Sequence, residues 1–344
     1  MKKIISTILV CILVISVLAG CGKNKVTMDD ILADTNMVVG TIAGQDVYAY
    51  ELIYYLKQGA AIDEAKDVIL KTKVLLNIGK ENGIEFTEEM QKKVDEFINS
   101  GLEQHGSKEA LESIVLENGG ITIDQYSALY KDSLVVQEVV NKVIELGVVP
   151  EATDEDAKEF YDTYCLKAKH ILFSTVAEDG TTALGEEEVA AKLKKAQDTL
   201  EAIKGGSDFD SFVNLSEDPG SATQPEGYVF VNTSLIEDES LYATVQQVGL
   251  TMVPEFEQGT AALEIGAVSD IVTSDFGHHI IKRLELTDAD YEMYKETFKG
   301  ILSNLNFSNY LKDSEANADV KWNVAAVDTL TANVKPVQQQ ATQQ

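Results

Sequence analysis

A chain of 344 residues with 28 Lys and Arg against 57 Asp and Glu carries a formal charge of −29. The length allows two domains of ordinary size, and the acids are spread over helix faces rather than packed into one block, which marks a solvated surface. The charge argues against nucleic acid as a partner, because binding a phosphate backbone requires Lys and Arg to neutralise it.

The chain begins with Lys2-Lys3, an apolar run from Ile4 to Leu18, and Leu18-Ala19-Gly20-Cys21. This pattern predicts a secretory signal over residues 1–20 with a cleavage site of the bacterial lipoprotein type. The mature chain would then begin at Cys21, lipidated on sulfur and held at the extracytoplasmic face of the cell membrane; two or more acyl chains give stable attachment where one would be marginal. With Cys11 removed and Cys21 modified, Cys165 is left without a disulfide partner and is read as a buried apolar residue.

Residues 21–36 are polar and predict a tether. Val38 to Val47, turning at Gly44-Gln45-Asp46, predicts a hairpin-like entry, and helices follow to residue 165. Ile62, Ala65, Ile69, Thr72 and Leu76 mark one helix; 87–101, 108–118 and 124–146 mark others. Thr122 with Gln125, and Thr153 with Asp156, have capping-box spacing. His105 reads as a surface helix residue.

Residues 167–284 open with K-A-K-H-I-L-F and close with D-F-G-H-H-I-I-K, and three of the four histidines lie in these two runs. Both alternate as half-buried strands do, placing Ala168, His170 and Leu172 on one face and His279, Ile281 and Arg283 on another. If the strands are neighbours, His170 and His279 meet. A lone strand histidine is more often a hydrogen-bonded core residue than a catalyst, but two bracketing one compact unit favour a site. Between them lie an amphipathic helix from Glu186 to Lys204, stopped by Gly205-Gly206, and a shorter helix from Asp208 to Leu215. A turn follows at 216–222, then a strand at 228–231, a helix opened by Pro254, and a strand at 271–273. After the unit, Thr287 with Asp290 caps a helix running to about Leu311 with an apolar stripe; 318–324 predicts a short strand, and the Gln-rich end a disordered tail. No metal-ligand cluster, phosphate loop or Ser/His/Asp set is visible.

The runs K-A-K-H-I-L-F, F-D-S-F-V-N-L-S-E-D, M-V-P-E-F-E, L-E-I-G-A-V-S-D-I-V and F-G-H-H-I-I-K resemble a parvulin-type peptidyl-prolyl isomerase domain over about 120 residues. The resemblance implies paired active-site histidines at His170 and His279, Asp218 at the family's Cys-or-Asp position, and a proline pocket at Met252 and Phe256. It implies no cofactor. Two departures stand out: P-E-G-Y-V-F at 225–230 replaces the family's G-G-D-L-G run, and residues 232–251 lie where many parvulins have a short loop. Leu241, Val245 and Val248 have helical spacing there, so the insertion forms a flap or covers apolar surface.

The layout as a whole is similar to that of the secreted PrsA and, more distantly, SurA foldases. The fold class expected is α+β, a parvulin-like domain with a small mixed or antiparallel four-stranded sheet inserted in a discontinuous helical chaperone domain. The boundaries expected are 37–165 for the N-terminal helical domain, 166–286 for the isomerase domain, 287–327 for a C-terminal helix and strand packing on the N-terminal domain, and 328–344 for the tail. The function implied is a lipid-anchored peptidyl-prolyl isomerase and foldase acting on Xaa-Pro segments of unfolded exported proteins. A non-catalytic holdase with an inactive parvulin domain is the alternative, and a homodimer is left open.

Overall fold

The structure is a computed structural model that describes residues 26–177 and 179–337. Its first half runs α1 (Met28–Ala33), β1 (Val38–Ile42), β2 (Gln45–Tyr48), α2 (Ala49–Lys57), α3 (Ile62–Glu81), α4 (Glu88–His105), α5 (Lys108–Gly119), α6 (Ile123–Lys142) and α7 (Asp154–Tyr164). There follow β3 (Cys165–Ser174), α8 (Glu186–Lys204), a 3₁₀ segment Phe209–Leu215, α9 (Gly220–Thr223), β4 (Tyr228–Val231), α10 (Glu239–Gln247), α11 (Pro254–Ala261), β5 (Val272–Ser274) and β6 (Gly277–Leu284). The chain closes with α12 (Asp288–Ala316), β7 (Val320–Trp322) and α13 (Val324–Asn333). The signal segment and Cys21 lie outside the described residues. Among the described residues no helix is long and apolar enough to cross a membrane.

The described chain forms two compact units. One takes in residues up to 73, 87–131 and those from 319 on, so α3 and α6 each contribute to both units. Its sheet has the order β2-β1-β7, antiparallel throughout, which brings the C-terminal strand back to the first hairpin. Lys73 and Glu51 form a buried ion pair at 2.9 Å.

Two expectations fail in this unit. Residues 28–33, expected as tether, form α1, because Thr27 and Asp30 make a reciprocal capping box and Ile31 is buried. Residues 328–333, expected as disordered tail, belong to α13, which Asn323 caps and which buries Ala326, Val327 and Leu330. Thr329 also donates its hydroxyl to the Val26 carbonyl, tying the two ends of the described chain together. The helix α2, not marked from sequence, buries Ala49, Tyr50, Leu52, Ile53 and Leu56.

The second unit comprises residues 74–86 and 132–318. Its sheet is antiparallel with the order β4-β3-β6-β5, so the two histidine strands are central neighbours. Each face carries its own core. Ile171, Phe173 and Ile280 pack with Ala196, Leu200 and Phe209 on one side. On the other, Leu166, Ala168 and Ile281 pack with Phe230 and Phe256. A third cluster joins Val229 and Val231 to α7, α10 and α12 through Phe160, Tyr161, Leu241, Val245, Tyr291, Phe298 and Ile301. The insertion at 232–251 therefore covers apolar surface: Leu241 and Val245 are buried, while Val248 is exposed. The stripe of α12 lies against α7 and α10, so its burial is divided between the helix before the sheet and the insertion within the expected isomerase domain. Lys167 at the start of β3 reaches Asp290 in the first turn of α12 at 2.7 Å, with both side chains largely buried.

Candidate active site

In the register of β3 against β6, Leu172 faces His279 and His170 faces Ile281. His170 and His279 are thus diagonal neighbours on one face, within reach of each other across the pleat. Their rings stack at 5.3 Å between centroids, and Nδ1 of one lies 3.1 Å from Nδ1 of the other. The outer nitrogens are also engaged. His170 Nε2 is 2.8 Å from the Asp218 carboxylate, and His279 Nε2 is 2.8 Å from the Ser274 hydroxyl.

Chemistry fixes the direction of this chain when both imidazoles are neutral. The carboxylate can only accept, so His170 donates from Nε2 and accepts at Nδ1; His279 then donates from Nδ1 and accepts at Nε2 from Ser274. Asp218 ends the network. Burial alone would raise its pKa, but hydrogen bonds from His170, Tyr228 and the Gly220 amide outweigh burial and hold the carboxyl well below the usual range. Burial and the adjacent carboxylate push the Tyr228 phenol up, keeping it a donor.

His279 is pushed down to about 3, by burial first and by the charge of His170 second. A histidine with its pKa below the ordinary 6.5 binds its proton more readily in the unfolded chain, so its contribution is complete above about pH 6.5 and is lost as pH falls toward 3. Stability of the second unit should therefore fall on acidification below pH 6.5, with this group contributing up to about 1.4 kcal/mol per pH unit. Denaturant midpoints measured from pH 7 to 4.5 check this: a slope that flattens in His279→Gln is expected, and a profile already flat in the native protein contradicts it.

Beneath the imidazoles lies an apolar floor. The Phe256 ring stands edge-on to His170 at 5.1 Å and to His279 at 5.6 Å, and packs on Phe230 at 5.6 Å. Met252 and Phe256 line one cavity with His170, Asp218 and His279, of about 970 Å³. Pro254 opens α11 and fixes the approach of that helix. Glu257 is buried and accepts from the Met252 and Thr233 amides and the Thr233 hydroxyl, so it fastens the segment carrying Met252. The five residues singled out from sequence, other than Cys21, are all brought together.

Tyr228, Ser274 and Glu257 were not singled out. Tyr228 pairs with Ala168, which puts it on the same face as His170, a register that the sequence pattern leaves open. The altered turn before it still needs its glycine: Gly227 has φ +92, and a Cβ there would lie 2.8 Å from the Ala168 carbonyl oxygen. His278 points away from the pair, with Nδ1 3.0 Å from the Thr273 hydroxyl. Cys165 is buried, its thiol pushed up to about 12 by desolvation, which makes it a poor nucleophile.

The family model described as PPIC-type PPIase domain matches residues 155–287. The foldase protein PrsA of Clostridium botulinum (strain Okra / Type B1) is 27% identical over 256 residues, which cover 69% of this chain and 66% of that protein. The foldase protein PrsA of Geobacillus sp. (strain WCH70) is 31% identical over 193 residues, covering 56% of this chain and 54% of that protein. The chain thus spans about two thirds or less of the length of these curated relatives. Among solved structures, the peptidylprolyl isomerase (PrsA) from Bacillus cereus is 20% identical with a TM-score of 0.33, covering 89% of this chain and 95% of that one. The strand pair that joins His170 to His279 lies within the stretch that matches the PPIC-type PPIase family model, in a chain similar over much of its length to the PrsA foldases.

Proposed function

We propose that the protein is a peptidyl-prolyl cis/trans isomerase and foldase that assists exported proteins, tethered by lipid on Cys21 at the extracytoplasmic face of the membrane. The observation that carries the enzymatic part is the apolar floor of Met252 and Phe256 set directly beneath the hydrogen-bonded chain Ser274–His279–His170–Asp218. Rotation about a peptide bond has a barrier of ~18–20 kcal/mol, and the isomers of an Xaa-Pro bond lie within ~1 kcal/mol, so uncatalysed exchange takes tens of seconds. A twisted amide has lost resonance and is less polar than the planar form. A pocket that seats the proline ring against Phe256 and Met252 and excludes water therefore favours the twisted state over either ground state.

In this reading Asp218 and Tyr228 hold His170, and His170 holds His279, so the wall above the proline ring is fixed before the substrate arrives. Such preorganisation means that no reorientation of the wall opposes rotation. No covalent intermediate and no cofactor are called for. Refolding of a client limited by a non-native proline isomer, measured beside suppression of its aggregation, tests the reading. Acceleration of the slow phase is the expected result; aggregation suppressed with the slow phase unchanged would favour the holdase.

The anchor rests on the sequence around Cys21 alone. Cys21→Ala should leave the protein either unprocessed or released from the membrane, as seen by fractionation and by the mass of the N-terminal peptide. Normal processing with full membrane retention would remove the lipoprotein part of the proposal and leave the isomerase part standing.

A further inference from the structure

Part of the cavity lining is charged, and the charges are not balanced. Glu188 and Lys192 stand one turn apart on α8, and Glu217 precedes Asp218 on the segment that carries the network carboxylate. Among the described residues lining the cavity, Lys192 is the one Lys or Arg, beside the carboxylates of Glu188, Glu217 and Asp218. It is already engaged, because its ammonium lies against Glu217 Oε1.

Glu217 is built into the fold. Its Oε2 accepts from the Ser174 amide at 2.8 Å, and its own amide donates to the Leu172 carbonyl at 2.8 Å. The ammonium is therefore held by a fixed carboxylate, while Glu188 is exposed at the rim and forms no ion pair among the described residues. Met252 and Phe256 line the same cavity, so a peptide whose proline sat on them would bring its neighbouring residues to these charges.

We propose that the Glu188, Lys192 and Glu217 wall sets substrate choice, disfavouring an acidic or phosphorylated residue beside the proline and favouring a neutral or basic one. The proposal rests on the isomerase reading and specifies its substrate class. The charge of the rest of the chain matters little, because salt screens exposed charges beyond about 8 Å at physiological ionic strength. A peptide held in the cavity would lie inside that distance of the wall, where one uncompensated charge changes rates several-fold.

Isomerisation of Ala-Xaa-Pro-Phe and Ala-Leu-Pro-Xaa peptides by the full chain, with Xaa as Lys, Leu or Glu, tests this. In at least one series kcat/KM should fall from Lys to Glu by about fivefold at low salt, and the ratio should shrink near 1 M salt, where the screening length is about 3 Å. Glu217→Gln keeps an acceptor for the Ser174 amide but frees the Lys192 charge, so the Lys-to-Glu ratio should narrow. Lys192→Gln leaves Glu217 uncompensated, so the ratio should widen. Each variant is read against its own Leu peptide, and the salt dependence of the native chain gives the answer without any variant.

Equal rates for Lys and Glu peptides in both series, or a faster Glu peptide, overturn the proposal while activity on the Leu peptide leaves the isomerase reading intact. No catalysis of any peptide removes both.

Discussion

Phe256→Ala should lower stability by about 3–5 kcal/mol and depress isomerisation together, because this ring is both core and pocket floor. It is 2% exposed, packs with Phe230 and Ile281 below, and meets both imidazole edges above. Removing it leaves a cavity under the histidines and takes away the surface on which a proline ring would rest. The two effects are separable. Met252 is only half-buried, so Met252→Ala should leave the fold largely intact while weakening catalysis. Thermal or denaturant unfolding, followed by rate measurements on the folded fraction, gives both quantities; an unfolding midpoint unchanged in Phe256→Ala would show that the ring is not part of the core.

A second large effect is expected at Lys167, which is not among the residues lining the cavity. Its ammonium contacts both oxygens of Asp290 at 2.7 and 2.9 Å, and the two side chains are 9% and 12% exposed. Asp290 also closes the capping box of α12 with Thr287. Burial works to raise the Asp290 pKa, and the hydrogen bonds from Lys167 and Thr287 outweigh it, holding the carboxyl below its usual value. Lys167→Met strands a carboxylate in an apolar setting and should cost about 3–5 kcal/mol, as breaking one side of a buried pair does. Adding Asp290→Asn should recover part of that loss, since the amide oxygen can still cap the helix. A double variant no more stable than the single one would show that the loss comes from packing of the lysine stem rather than from the stranded charge.

The histidine pair was legible because strands have a period of two and histidines are rare in this chain: two alternating runs, each with a histidine on its inward face, constrain the answer strongly. The register was not legible. Whether His170 lies opposite Ile281 or opposite His279 depends on how β3 and β6 are offset, which the alternating pattern leaves free in steps of two. Tyr228 went unremarked for the same reason, since its nearness to Asp218 follows from the pairing of β4 with β3 and from the turn at Gly227.

Errors at the ends of the chain have a different origin. The Thr27 and Asp30 spacing is the same signal read correctly at Thr153 and Thr287, but a polar neighbourhood and the short length of α1 outweighed it. At the other end, the Asn323 cap and the Ala326, Val327, Leu330 spacing that place α13 stand next to a Gln-rich sequence whose composition points the other way. The division of α12 between α7 and α10 could not be read from its stripe, because an apolar face states that it is covered and not by what.

The measurement that bears most directly on the proposed function is two-dimensional exchange NMR on a short Ala-Leu-Pro-Phe peptide with a small molar fraction of the protein. A peptide of this size neither aggregates nor folds, so a holdase leaves it unaffected. Exchange cross peaks between the cis and trans resonances, growing within a second in the presence of the native chain and weaker in a folded Met252→Ala variant, are the expected result. A peptide that exchanges on the uncatalysed timescale of tens of seconds, with native protein whose His170–His279 strand pair is demonstrably folded, would contradict the isomerase reading.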